Sequence, residues 1–307
     1  MSLRVAICIA THNRRDELIR TLGVLAGLDP APDEVLVAAD GCTDGTDEWV
    51  RENHPGVRLV IHPQPHGSIA SRNELGALCE SDIFVSLDDD SYPIERDFIA
   101  RVRKIFADNP RLAVASFPQR TDEHPETLSQ PDFGEPHFIG SYANSAAAIR
   151  RSTFRDIGGY PDFFFHAYEE PDFALRCVAA GWEVRYETAA TVRHHFTATE
   201  RNEMRTHQRH ARNELWSVLM RCSLLQLPAV AVFRAARQFG YACRRGFAWA
   251  VREPKWWFAF LRGIPRCLAA RAPVPWRRYL AWMRLLRNPI RDRAEWDAKF
   301  PSEPRRG

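Results

Sequence analysis

Three aspartates stand in a row at Asp88-Asp89-Asp90, after the apolar run Ile83–Leu87 and before Ser91-Tyr92-Pro93. Adjacent carboxylates repel one another unless a cation compensates them. A hard divalent ion such as Mg²⁺ or Mn²⁺ takes oxygen ligands, usually one or two carboxylates together with substrate phosphates. The triplet therefore reads as a metal–diphosphate site; the plainer alternative is a solvated acidic turn. His194-His195 follows a short strand candidate. Such a pair is more often ordinary surface or core, but neutral imidazole suits Mn²⁺. Glu169-Glu170-Pro171-Asp172 places three carboxylates at a helix start, where the macrodipole and free N–H groups favour their ionised forms. An ionised carboxylate beside a pocket can act as a general base, although ordinary N-terminal acid bias explains the same residues. Asp40-Gly41-Cys42-Thr43-Asp44-Gly45-Thr46 is a glycine turn that opens a helix, with Asp44 or Thr43 as its cap. Asp40 is left free to accept a hydrogen bond from a ligand.

These groups need a scaffold that brings strand ends together. Val5–Ala10 is a β-branched, apolar run too short for a helix. Asp16–Leu28 has helical spacing through Leu18, Leu22 and Leu25. Glu34–Ala39, Val57–His62 and Ile83–Leu87 are further strand candidates, separated by helices over Asp44–Asn53 and Ser68–Cys79. This alternation predicts right-handed βαβ crossovers and a parallel sheet, whose ligands bind outside the C-terminal strand ends. Thr11-His12-Asn13, Asp40-Gly41 and the aspartate triplet all stand there. Residues 118–141, with four prolines, form a long connection. Ala143–Arg150 is read as a strand, and Pro171–Ala180 as a helix with Pro171 at its first position and Gly181 at its C-cap. Val184–Tyr186 and Thr191–His194 are short strands. After residue 200 the pattern is helical.

The 307 residues are long enough to bury a sizeable core, and 45% apolar with 26% charged residues excludes a disordered or fibrous chain. Net charge is only +3, but it is unevenly spread. Residues 1–200 hold 19 Lys and Arg against 32 Asp and Glu, or −13; residues 201–307 hold 23 against 7, or +16. Seven scattered cysteines have neither metal nor redox spacing and read as reduced thiols in a cytoplasmic protein. Leu3–Ala10, broken by Arg4, is too short for a signal peptide. Leu215–Phe233 contains Arg221, Gln226 and Pro228, which argues against a spanning helix.

Seven segments in order resemble the family 2 inverting glycosyltransferases of GT-A fold. Val5–Arg14 looks like the family's first strand and nucleotide loop. Residues 40–46 resemble its D-G-S-T-D-G-T, and Gly67–Asn73 its G-x-x-x-A-R-N helix. Leu87–Asp90 resembles its D-x-D strand end, Gly158–Asp162 its G-G-F-D-E turn, Glu169–Phe173 its E-D-x-D-L helix, and Ala190–His195 its metal-histidine strand. The resemblance covers residues 4–196. It implies a Rossmann-like, mostly parallel central sheet flanked by helices over residues 1–200, followed by a helical region over 201–307.

By the same resemblance, Thr11, Asn13, Arg14, Asp40, Arg72, Asp88 and Asp89 would contact a nucleotide-sugar donor, with a UDP-sugar first among candidates. Asp90 and His194 would hold Mg²⁺ or Mn²⁺. Glu170, where the family usually has Asp, would be the base, with Asp172 beside it. The reaction implied is a single displacement onto a hydroxyl of a glycan or lipid-linked acceptor, with inversion, in cell-surface polysaccharide synthesis. Two other classes compete. A nucleotidyltransferase needs a glycine-rich phosphate loop after strand one, where Thr11-His12-Asn13-Arg14-Arg15 has no glycine. A non-catalytic membrane-surface module would not need Asp40, Asp88, Asp90 and Glu170 together.

The Arg-rich and Trp-rich last third, which holds seven of nine Trp, suits peripheral contact with an anionic membrane at its inner face. A helical cap packed on the catalytic unit is the alternative. The segment carries no recognisable nucleic-acid motif.

Overall fold

The computed structural model describes residues 2–196 and 202–301. Strands β1 (Val5–Thr11), β2 (Glu34–Asp40), β3 (Arg58–His62) and β4 (Ile83–Asp88) alternate with α1 (Arg15–Leu25), α2 (Thr46–Asn53) and α3 (Ser68–Leu78). β1 pairs in parallel with both β2 and β4, and β2 with β3, as the alternation predicts. The remaining strands are β5 (Ser91–Pro93), β6 (Leu112–Ser116), β7 (Gln119–Thr121), β8 (His137–Phe138), β9 (Ala146–Arg150), β10 (Glu183–Tyr186) and β11 (Val192–His194). The main sheet has eight strands in the order β3-β2-β1-β4-β9-β6-β10-β8. It is mostly parallel, but β9 enters antiparallel between β4 and β6, and β8 lies antiparallel on β10.

The central strands are apolar on both faces because both faces are covered. Val5, Ile7 and Ile9 of β1 and Ile83, Val85 and Leu87 of β4 join one core with α1 and with α4 (Phe98–Asp108). Ala6, Cys8 and Phe84 face the other core, under α3, α5 (Arg151–Ile157) and α6 (Glu169–Ala179). α4 and β6 have no counterpart among the elements expected from sequence. α6 starts two residues before Pro171. Tyr168 holds a left-handed conformation, φ 71°, at its N-cap, and Pro171 falls within the first turn, where its missing N–H costs nothing.

The basic third is helical as expected: α7 (Glu203–Arg221), α8 (Leu227–Arg245), α9 (Phe247–Ala250), α10 (Pro254–Ala269), α11 (Trp276–Leu285) and α12 (Arg293–Lys299). The boundary expected at residue 200 lies outside the described residues, and the core does not stop there. Trp216, Tyr279, Trp282, Trp296 and Phe300 belong to the same buried cluster as Ala6 and Phe84. Phe138 stacks on Trp296 with centroids 4.2 Å apart and forms a β-bridge with Ile290. Trp216, Trp256, Trp282 and Trp296 are buried, so the expectation of Trp along a headgroup layer fails for most of them. No helix among the described residues is long and apolar enough to cross a membrane.

Candidate active site

The strand ends gather the predicted groups into two linked clusters. β4 ends at Asp88, and the chain turns through Asp89 and Asp90 into β5. β5 pairs with β11 in the small sheet β5-β11-β7, with Ser91 opposite His194, and His195 N–H donates to the Asp90 carbonyl at 2.8 Å. This pairing brings His194 Nε2 to 3.3 Å from Asp90 Oδ1. Asp88, Asp90 and His194 each offer a ligand atom within 4.8 Å of the others. Two carboxylates and an imidazole are a donor set that fits Mn²⁺ or Mg²⁺.

Arg14 threads between the other acids. Its Nη2 donates to Asp90 Oδ2 at 2.5 Å, and its Nη1 lies 3.2 Å from Asp89 Oδ1. Burial opposes ionisation of the Asp90 carboxyl, but His194 and the guanidinium together hold it well below the usual range. Asp89 behaves differently. It is buried, accepts from Thr11 Oγ1 at 2.8 Å, and its carbonyl accepts from Thr21 Oγ1. Desolvation dominates there and pushes its carboxyl up to about 7. Thr11 and Asp89, both expected at the donor, are buried against each other.

Two further expected donor contacts are engaged in holding loops. Asn13, with φ 52°, accepts from Thr43 N–H at 2.7 Å and ties the β1 loop to the turn after β2. Asp40 is not free. It is 5% exposed, and its two oxygens accept from the backbone N–H groups of His66 and Gly67 at 2.7 and 2.8 Å. The reason is local: the β3–α3 turn folds over the end of β2 and leaves N–H groups that need acceptors. Gly67 makes this fold-over possible, with φ +96° and a Cβ position only 2.5 Å from the Phe165 carbonyl.

Arg72 on α3 is buried and donates through Nη2 to Asp88 Oδ1. It also feels the charges of Glu169 and Glu170. Glu169 is buried, and Glu170 is partly exposed at the start of α6. Asn144, which nothing in the sequence marks, serves both: its Nδ2 donates to Glu169 Oε1 at 3.2 Å and its N–H to Glu170 Oε1 at 3.4 Å. Tyr160 Oη donates to Asn144 Oδ1 at 2.7 Å, and lies 2.8 Å from Tyr142 Oη. Burial raises the pKa of both glutamates, and the Glu169 charge adds to the rise at Glu170, which reaches about 8.

Asp172, expected beside Glu170 in catalysis, faces away. It is fully buried and bonded to Arg176 at 2.9 Å, Ser217 Oγ at 2.8 Å and Arg221 Nε at 3.1 Å. These cations keep its pKa low despite burial. Two positions along α6 separate the two carboxylates: Glu170 is partly exposed, and Asp172 clamps α6 to α7.

Comparison with known proteins gives the family and the fold. The family model described as glycosyl transferase family 2 matches residues 6–165, just over half of the chain. The pre-mycofactocin glycosyltransferase of Mycobacterium tuberculosis is 32% identical over 206 residues, which span 62% of this chain and 42% of that protein. The O-antigen chain rhamnosyltransferase WbaN of Salmonella anatum is 27% identical over 190 residues, 56% of this chain and 59% of that one. The chain thus spans about half the length of these relatives. Among solved structures, the mannosyltransferase PcManGT from Pyrobaculum calidifontis, in complex with GDP-Man and Mn²⁺, superposes with a TM-score of 0.57. That match has 18% identity over 86% of this chain and 87% of that one, a likeness of fold. By its matched segment, its GT-A fold and its strand-end carboxylates, the chain belongs to glycosyl transferase family 2.

Proposed function

We propose that this glycosyltransferase moves a sugar from a nucleotide-diphosphate sugar, a UDP-sugar first, onto a hydroxyl of a glycan or lipid-linked acceptor. The transfer is metal-dependent and inverts the anomeric centre. The membership of Asp88 in both clusters carries this reading. Asp88 pairs with Arg72, which feels the Glu169–Glu170 pair, and is also one corner of the Asp88–Asp90–His194 trio. In this reading the base and the diphosphate site lie at the two ends of one ionic link, on either side of the carbon at which displacement occurs.

Asp88, Asp90 and His194 would hold the cation. When bound, Mg²⁺ or Mn²⁺ supplies positive charge for a departing nucleoside diphosphate. Arg72 supplies a fixed guanidinium on the same side. Glu170 takes the proton from the acceptor hydroxyl as that oxygen attacks the anomeric carbon. Asn144 orients the glutamate pair, and Glu169 raises the proton affinity of its neighbour. Positioned base catalysis of this kind contributes roughly 10²–10⁴-fold. Thr11, Asn13, Asp40 and Asp89 serve by fixing the loops that carry Arg14 and Asp90. The O-antigen rhamnosyltransferase relative supports a role in cell-surface polysaccharide synthesis; the basic last third suits a peripheral place at the inner membrane face.

The test is a panel of UDP-, dTDP- and GDP-sugars assayed for nucleoside diphosphate release with Mg²⁺, Mn²⁺ or chelator. Metal-dependent turnover of one donor is expected. Turnover unaffected by chelator would overturn the metal assignment, and a product of retained configuration would overturn the single displacement.

A further inference from the structure

The burial of residues 222–270 does not match a helical layer that merely covers the catalytic unit. Between Glu214 and Asp292 the sequence holds fifteen Lys and Arg and a single acid, Glu253. That acid points inward: it is buried, 2.9 Å from His207 Nε2, and accepts from Trp256 Nε1 at 2.7 Å. α8 is inside out for a helix on a water-facing surface. Its buried side carries Arg234 and Gln238, which donate to Glu214 of α7 at 2.8 and 2.5 Å. Its outward side, with the turn before it, carries Leu225, Val232 and Phe233, exposed by 86, 69 and 51%. The outward apolar residues continue through Phe247 of α9 and Phe258 and Leu261 of α10. α8 and α10 meet over α7 through Ala231, Ala235, Trp256 and Phe260.

We propose that the outward faces of α8, α9 and α10 lie in the interfacial layer of an anionic lipid bilayer. Their hydrocarbon side chains would sit below the headgroups, with Arg244, Lys255, Arg262 and Arg266 among them. The partner is chosen by charge complementarity. A second copy docked by the same face would bring Arg244, Lys255, Arg262 and Arg266 against themselves. A nucleic acid would accept the cations but give the exposed Leu, Val and Phe no apolar partner. A bilayer surface offers phosphate and hydrocarbon together, without requiring a spanning helix. A groove of about 430 Å³, lined by Arg205, Arg252 and Lys255 where α7 begins and α10 turns in, suits a phosphate headgroup. The inference rests on the membrane-side reading above and names the surface that makes the contact.

The experiment is co-sedimentation of the whole chain with vesicles of phosphatidylcholine alone or mixed with phosphatidylglycerol, at low and high salt. Binding to the mixed vesicles is expected, weakened by salt within a Debye length of about 8 Å at physiological strength. Leu225→Glu with Phe247→Glu, two side chains in contact with water, should lower that binding at least about tenfold without changing the melting temperature. Arg262→Glu with Arg266→Glu should remove the preference for phosphatidylglycerol. Absence of wild-type binding to mixed vesicles, or binding unchanged in both double variants, would overturn the proposal. So would a dimer in analytical ultracentrifugation, dissolved by Leu225→Glu with Phe247→Glu, from a chain that ignores vesicles. Donor hydrolysis without vesicles reports on the active site separately. Lost vesicle binding with intact hydrolysis sinks only this inference; the converse sinks only the catalytic reading.

Discussion

The cleft and the helical third treat buried acids in opposite ways. Glu214, fully buried on α7, accepts from Arg234, Arg237 and Gln238. Asp172 is fully buried and is matched by Arg176, Arg221 and Ser217. At the cleft, Glu169 and Glu170 rely on Asn144 and on a guanidinium already paired with Asp88. Burial depresses ionisation in both places, and only supplied positive charge reverses it. Asp172 therefore stays low, and Glu170 rises. An acid with ample partners fastens the fold; one with too few keeps its affinity for a proton and can do chemistry.

Substitutions can break this contrast. Glu170→Gln removes the proton acceptor and keeps the size. It should cost roughly 10²–10⁴-fold in kcat with little change in donor affinity, measured by single-turnover assay and calorimetric titration. Its melting temperature should hold or rise. A raised carboxyl pKa in the folded state means that stability falls as pH climbs from the ordinary glutamate range towards about 8, and the amide escapes that loss. Asp172→Ala should do the reverse. Leaving Arg221 and Arg176 without their shared acid costs about 3–5 kcal/mol of stability, read from denaturant midpoints. An Asp172→Ala protein that is stable but inactive would show that the wrong carboxylate had been placed in the cleft.

Asp90→Asn should weaken nucleoside diphosphate binding in the presence of Mn²⁺ and leave binding in chelator unchanged. Equal titration curves for wild type and variant in Mn²⁺ would remove Asp90 from the metal site. Gly263→Ala probes the packing inside the helical third. A Cβ there would stand 2.1 Å from the Trp216 ring, and α7 and α10 must part to admit it. A loss of about 1–3 kcal/mol is expected, with kcat nearly unchanged in the folded fraction. The smallest effect is in the pH profile. kcat/KM should rise with pH as Glu170 loses its proton, with an inflection well above the ordinary glutamate range. An inflection near 4.5 would mean that the glutamate pair is better matched in solution than its burial implies.

Most of the scaffold was legible because its signals are local. β1 to β4 and α1 to α3 announce themselves by apolar runs and helical spacing. The strand-end position of Asp88–Asp90 follows from that alternation and the topology of parallel sheets. α4 and β6 carry no chemical motif and went unassigned, and the two-residue error at the start of α6 came from taking Pro171 as the first helical residue. The family model's match ends at residue 165, five positions before Glu170, so the role proposed for Glu170 rests on the resemblance of a short motif.

The sequence by itself determined the kinds and order of the reactive groups: carboxylates after β4, acids at the start of α6, histidine on β11, and a basic tail. Tertiary structure alone decided which of them are available. Asp40 is taken by the backbone of the β3–α3 turn, and Asp172 by Arg221, 49 positions further along the chain. α8 turns Arg234 and Arg237 toward Glu214 on another helix, and Val232 and Phe233 are left outside. Periodicity and residue type are properties of neighbours in sequence. The ionisation and direction of a charged group depend on which partners, often distant in the chain, share its low-dielectric surroundings.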